Sequence, residues 1–388
     1  YPDRRPHTGL LEFKNIYRPA RVTHYDQSTG TLTLHNYMDF VDLTDYATLS
    51  YELNCDGQVV SAGSVPFPGG FRLPPHADGT LPLPLDVPAK GKCFVNICYH
   101  CKQDSALIKA DHLLGFDEIP LQNSDPRNQD AVQLLGRPAG DGLITIRETD
   151  RMLVLSCEQF TYVFNKLTGL FDKMTFANEP LLDQPMGFNV WRAPTDNDRK
   201  LKADWYAAHY DHAATNAYHT EYTVTASGVT LHTHVGIAAI CVQKFLDLDV
   251  TWTVANNGSV DLALHAQRNT VFPELPRFGL RLFLPQEMSQ VNYYGMGPME
   301  CYCDKHHAAS HNSYTATVWQ LHEDYIRPQE NGSHFDCDYV MLAGDAVRLT
   351  AVGTQPFSFN ASHYTQEELT RKAHNYELEP CSSTVLCL

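Results

Sequence analysis

Apolar side chains at every second position, in short runs separated by turn residues, constrain this chain more than any other feature. Leu246, Leu248, Val250, Trp252 and Val254 fall on one face of an extended segment, while Asp247, Asp249, Thr251 and Thr253 fall on the other. That is the alternation of a strand buried on one side only. It recurs at Leu49, Tyr51, Leu53 and Cys55, at Ile144 and Ile146, at Val229 and Leu231, and at Phe357, Phe359 and Ala361. Turn signals punctuate the runs, among them Ser28-Thr29-Gly30, Asp56-Gly57, Asn257-Gly258 and Gly344-Asp345. Helical periodicity is scarce. The best candidate runs from Thr365 to Ala373, where Thr365 is placed to cap the first turn and Glu368 stands three residues on, as a capping box requires. The expected fold is all-β.

About seven strand-like runs occupy residues 1–120, the number expected of an immunoglobulin-like sandwich. Within them, Pro66 to Pro88 holds seven prolines and reads as an irregular connection. The polar stretch Ile119 to Gly142, broken by Pro120, Pro126, Gly136, Pro138 and Gly140, places a linker at residues 121–140. Residues 141–388 continue as short strands without a strong break, which predicts one large two-sheet sandwich.

Charge and cysteine content narrow the partners. The formal net charge is −16, from 45 acidic against 29 basic residues, which opposes binding to nucleic acid or an anionic membrane and leaves a neutral ligand such as a sugar compatible. No run of about 18 apolar residues suits a membrane-spanning helix. Eleven cysteines without a framework spacing read as reduced thiols, hence a cytoplasmic protein. The N-x-S sequons at Asn257, Asn331 and Asn360 are read as chance occurrences. The sequence opens at Tyr1 with nothing like a signal peptide after it, and is read as a piece of a longer chain.

Three segments carry candidate site chemistry. Trp191, Arg192, Asp196, Asn197 and Asp198 surround a proline-stiffened turn with the groups that recognise sugars: an aromatic face, and planar polar side chains that bond adjacent hydroxyls in pairs. The structural alternative pairs Arg192 with Asp196 or Asp198 and closes the turn through Asn197. Both hold together if the loop is rigid so that it can shape a pocket. In Gly295–Lys305 the G-x-G is a weak dinucleotide signal, and Pro298 opposes a phosphate-cradling turn. Glu300 and Asp304 are paired carboxylates there, with a salt-bridged structural role the favoured account. The turn Arg327–Gly332 adds Glu330 and Asn331, with the Glu330 carboxylate placed to receive backbone N–H groups. Retaining glycoside hydrolysis needs two carboxylates about 5 Å apart, but nothing around Glu300 or Glu330 specifies an acid or a nucleophile. Cys98-x-x-Cys101 lacks the second pair that structural zinc needs. No metal site is assigned.

Six ordered segments resemble the bacterial lactose-hydrolysing β-galactosidases of glycoside hydrolase family 2. They are Asp3–His7 with Glu12–Lys14, Leu114–Asp117, Trp191–Asp198, Tyr294–Glu300 through Asp304, Arg327–Gly332 and Phe359–Thr365. The resemblance implies an immunoglobulin-like domain followed by a galactose-mutarotase-like "supersandwich", with residues 1–12 leaving a catalytic barrel that lies upstream. It implies that both catalytic glutamates, the magnesium ligands and a monovalent-cation site belong to that barrel. No catalytic residue and no cofactor are then expected in this chain. It further implies that Arg199–Trp205 is a mobile loop closing on the active site, that Lys305 replaces a common arginine, and that the family's sugar-platform tryptophan lies beyond Leu388.

The leading expectation is thus a non-catalytic C-terminal part of a cytoplasmic, homo-oligomeric β-galactosidase acting on β-galactosides such as lactose. It would support and border an active site carried by the upstream barrel. Two rivals stand beside it. One is a free carbohydrate-binding module using Trp191, Trp205 or Trp319, and the other is a mutarotase-like epimerase with His307 and Glu300 as acid and base.

Overall fold

In the computed structural model, which describes residues 1–388, the alternating runs become strands of five antiparallel sheets. The first seven strands are β1 (Ala20–Asp26), β2 (Thr31–Asn36), β3 (Ala47–Cys55), β4 (Gln58–Val65), β5 (Asp78–Pro82), β6 (Cys93–Cys101) and β7 (Leu113–Pro120). Sheets ordered β1-β2-β5 and β4-β3-β6-β7 enclose one core of 17 buried residues, with Leu32, Leu49, Leu53, Val95 and Ile97 at its centre. This is the three-on-four arrangement of an immunoglobulin-like sandwich. The stretch Pro66 to Pro88 is not wholly irregular. Leu81 pairs with Leu32 and is fully buried, and Pro82 is tolerated because it ends an edge strand.

Sixteen strands follow: β8 (Thr145–Glu148), β9 (Met152–Ser156), β10 (Phe160–Asn165), β11 (Leu170–Phe176), β12 (Glu179–Pro180), β13 (Gln184–Asn189), β14 (Ala214–Thr225), β15 (Gly228–Ala238), β16 (Leu246–Ala255), β17 (Val260–Arg268), β18 (Gly279–Pro285), β19 (Gln290–Gly297), β20 (Ser310–Thr317), β21 (Ser333–Ala343), β22 (Arg348–Ser362) and β23 (Ser383–Cys387). They form three sheets rather than the expected two, ordered β12-β11-β10-β9-β8, β14-β15-β16-β17 and β13-β18-β23-β22-β21-β19-β20. One core of 39 buried residues draws on all three. On β16 the predicted alternation holds, with Leu246, Leu248, Val250, Trp252 and Val254 all buried. Each such burial stabilises by about 1.5–3 kcal/mol. The Trp252 indole donates to the Gly169 carbonyl at 3.0 Å and meets Phe171 edge-on at 5.3 Å, tying two sheets together. Gly169 has φ +73°, and a methyl there would sit 2.8 Å from Val235 Cγ2, so this turn requires glycine. The final strand β23 is interior, between β18 and β22, and leaves no open edge of its own.

Five short helices decorate the sheets: α1 (Thr8–Ile16), α2 (Leu43–Tyr46), α3 (Gln129–Leu135), α4 (Lys202–Ala207) and α5 (Gln366–Arg371). Thr365 caps α5 by accepting from the Glu368 N–H at 3.1 Å, but the Glu368 carboxylate turns to the Glu379 N–H and Arg371, so only half the capping box forms. Helix α3 lies within residues 121–140, started by Asn128 accepting from the Ala131 N–H at 2.9 Å. No helix is long and apolar enough to cross a membrane. All eleven cysteines are free.

Candidate functional site

Strand β13 delivers the chain into Val190–Asp198, where Trp191, Arg192, Thr195 and Asp198 are held by hydrogen bonds from within the protein. Asn189 accepts from the Trp191 N–H at 3.1 Å, and the buried Trp191 indole donates to Thr370 Oγ1 at 3.1 Å. Arg192 donates to Asp198 at 2.6 Å, and the other oxygen of Asp198 accepts from the Thr195 N–H at 2.9 Å and from its hydroxyl at 3.0 Å. Asp198 therefore closes the turn. Asn197, the expected closer, is exposed and makes no hydrogen bond, because the buried carboxylate one residue on already holds Thr195. Asp196 is exposed, with its N–H donating to Gln329 Oε1 at 3.1 Å.

The Arg327–Gly332 turn locks onto this loop. Glu330 donates its N–H to the Ala193 carbonyl at 3.0 Å, and its carboxylate accepts from the Ala193 N–H at 3.3 Å and from Arg277 at 2.8 Å. Asn331 is buried, accepting from the Glu323 N–H and donating to the Gln329 carbonyl. Nothing in the sequence pattern marks Arg277 or Thr370 as members of this unit, since each arrives from a distant segment.

Glu300 sits in a second, equally saturated setting. Its carboxylate accepts from Lys305 Nζ at 2.6 Å, Thr8 Oγ1 at 3.0 Å, the Gly332 N–H at 2.9 Å and the Tyr325 hydroxyl. Burial pushes the Glu300 carboxyl up, but Lys305, Tyr325 and the Gly332 N–H together outweigh it and hold the group below the usual carboxylate range. Such a group is ionised at neutral pH and has no proton to give. Asp304, its expected partner in charge, is exposed and makes no bond. Glu300 and Glu330 thus each answer to their own cation, and both brace loops.

The remaining candidates separate in the same way. Of the three tryptophans named as sugar platforms, Trp191 and Trp205 are 3% and 4% exposed, whereas Trp319 is 51% exposed and lies on His363 at 4.5 Å. His307 is exposed and its ring rests against His306, away from the Glu300 donor set. Arg199–Trp205 is not an open loop. A 3-10 turn spans Asp196–Arg199, α4 follows, and Trp205 anchors it by donating to the Glu274 carbonyl at 3.1 Å. The Arg192 guanidinium lies 5.4 Å over the Trp205 ring. Beside Pro194 opens a cavity of about 440 Å³ whose lining includes Lys202, Tyr206, Arg327, Thr370 and Arg371. No three His, Cys, Asp or Glu side chains are grouped to hold a metal ion.

What this arrangement provides is a stiff, polar rim with exposed Asp196, Asn197 and Arg327 at its edge and no unpaired buried carboxylate to do chemistry. Comparison with known proteins gives the same chain a context. Residues 156–388 match the family model described as "Beta galactosidase small chain", and residues 32–122 match "Beta-galactosidase, domain 4". A beta-galactosidase of Actinobacillus pleuropneumoniae is 37% identical over 387 residues, covering 100% of this chain and 37% of its own length. That of Staphylococcus xylosus is 31% identical over 391 residues, with 100% and 38% covered. That of Vibrio cholerae is 28% identical over 392 residues, with 97% and 36% covered. The chain spans little more than a third of the length of the curated relatives it matches.

Proposed function

Since this chain belongs to the β-galactosidase small-chain family, we propose that it is the supporting C-terminal part of a retaining β-galactosidase whose acid and nucleophile stand on a preceding barrel domain. The observation that carries this reading is the state of the two best carboxylates. Glu300 and Glu330 are each buried and bound by a fixed cation and a backbone N–H, so neither is free to protonate a glycosidic oxygen or attack an anomeric carbon. Within the intact enzyme the loop Trp191–Asp198 borders the sugar pocket. Its buried members Trp191 and Asp198 hold the shape, and its exposed members Asp196 and Asn197 face the ligand side. The magnesium and monovalent cation that such an enzyme uses belong to the preceding domain in this reading. The substrates are terminal β-galactosides such as lactose, the protein self-associates, and its unbonded thiols suit the cytoplasm.

Hydrolysis of a chromogenic β-galactoside tests it. The 388-residue chain alone is expected to be inactive, and activity is expected to appear when the preceding domain is supplied. Turnover by the purified chain alone, abolished by Glu300→Gln or Glu330→Gln, would move the chemistry into this sequence.

A further inference from the structure

Two of the eleven free cysteines face each other across a strand pair. Cys55 ends β3, Cys93 begins β6, and the register sets them directly opposite one another. Side chains so placed leave the sheet on the same face, here into the core of the small sandwich. The surrounding hydrogen bonds define the kind of pair. The Cys93 carbonyl points away from β3 and accepts from the Leu121 N–H at 2.9 Å, while the Asp56 N–H reaches past the pair to the Lys92 carbonyl at 3.1 Å. Cys55 and Cys93 are therefore a non-hydrogen-bonded pair, whose Cα atoms lie about 4.5 Å apart, a separation that a disulfide bridges. The sulfurs are already in contact at 2.9 Å. Their other polar neighbours are distant: the Lys90 and Gly91 carbonyls at 3.4 and 3.5 Å, and the Asn123 amide 3.6 Å from Cys93. Cys98 and Cys101 have no such arrangement. Three residues apart on β6, they project to opposite faces about 10 Å apart along the strand, out of disulfide reach.

We propose that Cys55 and Cys93 form a reversible redox site, a dithiol that mild oxidation closes to a cross-strand disulfide. With hydrogen peroxide as the oxidant, one sulfur attacks as thiolate a peroxide oxygen, the O–O bond breaks, and the leaving hydroxide takes up a proton as water. The second thiol then displaces the sulfenic hydroxyl as another water and forms the S–S bond. Two electrons and two protons pass from the dithiol to the peroxide. Burial pushes both thiols up, Cys55 to about 12, so thiolate is scarce and closure is slow. The site therefore answers to the standing redox poise of its surroundings, not to brief pulses of oxidant. Closure acts on a corner where the two sandwiches meet. Asp56, next to Cys55, accepts from the Lys92 N–H at 2.8 Å and from the Gln129 N–H at the start of α3 at 3.2 Å. Lys92, next to Cys93, pairs with Asp338 of the large sandwich at 3.2 Å. One covalent bond fixes both attachments.

The test holds the full-length protein in dilute hydrogen peroxide until the exposed Cys241 and Cys303 are oxidised, then alkylates it unfolded and maps its peptides by mass spectrometry. The expected product is a peptide pair joined through Cys55 and Cys93, at least ten-fold more abundant than any other intramolecular linkage and opened by dithiothreitol. Recovery of both residues as alkylated thiols, as sulfinic acids or scattered over many partners overturns the proposal. Hydrogen exchange reads the effect on the corner. At least a ten-fold slowing at residues 55–57 and 90–93 is expected on closure, reversed by dithiothreitol and missing from Cys93→Ala treated alike. Linkage with exchange unchanged would overturn the fixing of the corner.

Discussion

Glu300 has a side chain only 1% exposed, and among its donors the one full positive charge is the Lys305 ammonium. Removing that charge leaves an ionised carboxylate buried among neutral donors, which is costlier than never having built the pair. Lys305→Ala is expected to lower stability by about 3 kcal/mol, read as an earlier urea midpoint at unchanged slope. Lys305→Arg restores a cation and should recover most of the loss. Adding Glu300→Gln to Lys305→Ala removes the stranded charge, so the double variant should be more stable than the single. Equal midpoints for the two would trace the loss to packing of the lysine stem. The sequence offered Lys305 and Glu300 as neighbours, but Thr8 lies 292 residues from Glu300 and Tyr325 lies 25 away, so no local pattern could join them. The same limit applied at Trp191–Asp198. The Arg192–Asp198 pair spans six residues and was a legible option, while the grip of Arg277 on Glu330 is a product of the fold.

Between elements, the most exacting contact is His311 on β20, whose imidazole bridges two strands of different sandwiches. Nδ1 lies 2.6 Å from Glu118 on β7, Nε2 lies 2.8 Å from Asp336 on β21, and the ring stacks on Phe94 of β6 at 4.3 Å. Lys92, paired with Asp338 at 3.2 Å, is the other charge facing it. Burial alone would push the imidazole down, but Asp336 and Glu118 outweigh burial and Lys92 and hold it above its ordinary 6.5. A group whose folded pKa is raised gives its full stabilisation below the unfolded pKa and loses it as pH rises through the folded one. The wild type is therefore expected to lose thermal stability from about pH 6.5 upward relative to His311→Asn, whose curve should be flatter there. Parallel curves for both proteins between pH 6 and 9 would remove His311 from the account. Asp336, held below the usual range by its bond to His311, works in the other direction and loses its contribution on acidification. Strands such as β16 were legible because one face is apolar and the other polar. Helix α1 was not, because its inward stripe is Thr8, Glu12 and Asn15, and a search for apolar periodicity is blind to a helix buried through hydrogen bonds.

At the scale of the whole molecule, two cores of very different size are coupled through polar contacts, and α1 is the wedge between them. It touches the small sandwich through Asn15, which donates to the Phe116 carbonyl at 3.1 Å and accepts its N–H at 2.7 Å, an approach that Gly115 permits because a methyl there would lie 2.7 Å from Asn15 Oδ1. It touches the large sandwich through Glu12, whose carboxylate caps the N–H groups of His307 and Ala308, and through Asn15, which also donates to the His307 carbonyl at 2.6 Å. The small core, of 17 buried residues against 39, has less apolar burial of its own and draws proportionally more stability from this junction. Calorimetry of the wild type is expected to show the two sandwiches melting together. Glu12→Ala with Asn15→Ala leaves backbone N–H groups unsatisfied at the junction, each costing about 1–3 kcal/mol, and about 4–8 °C follows per kcal/mol for a domain the size of the small sandwich. A separate, earlier transition for the small sandwich should then emerge, with the later one nearly unmoved. A single transition shifted as a whole would mean that Lys92–Asp338 and His311–Glu118 suffice to couple the domains, and that α1 adds stability without setting their cooperativity.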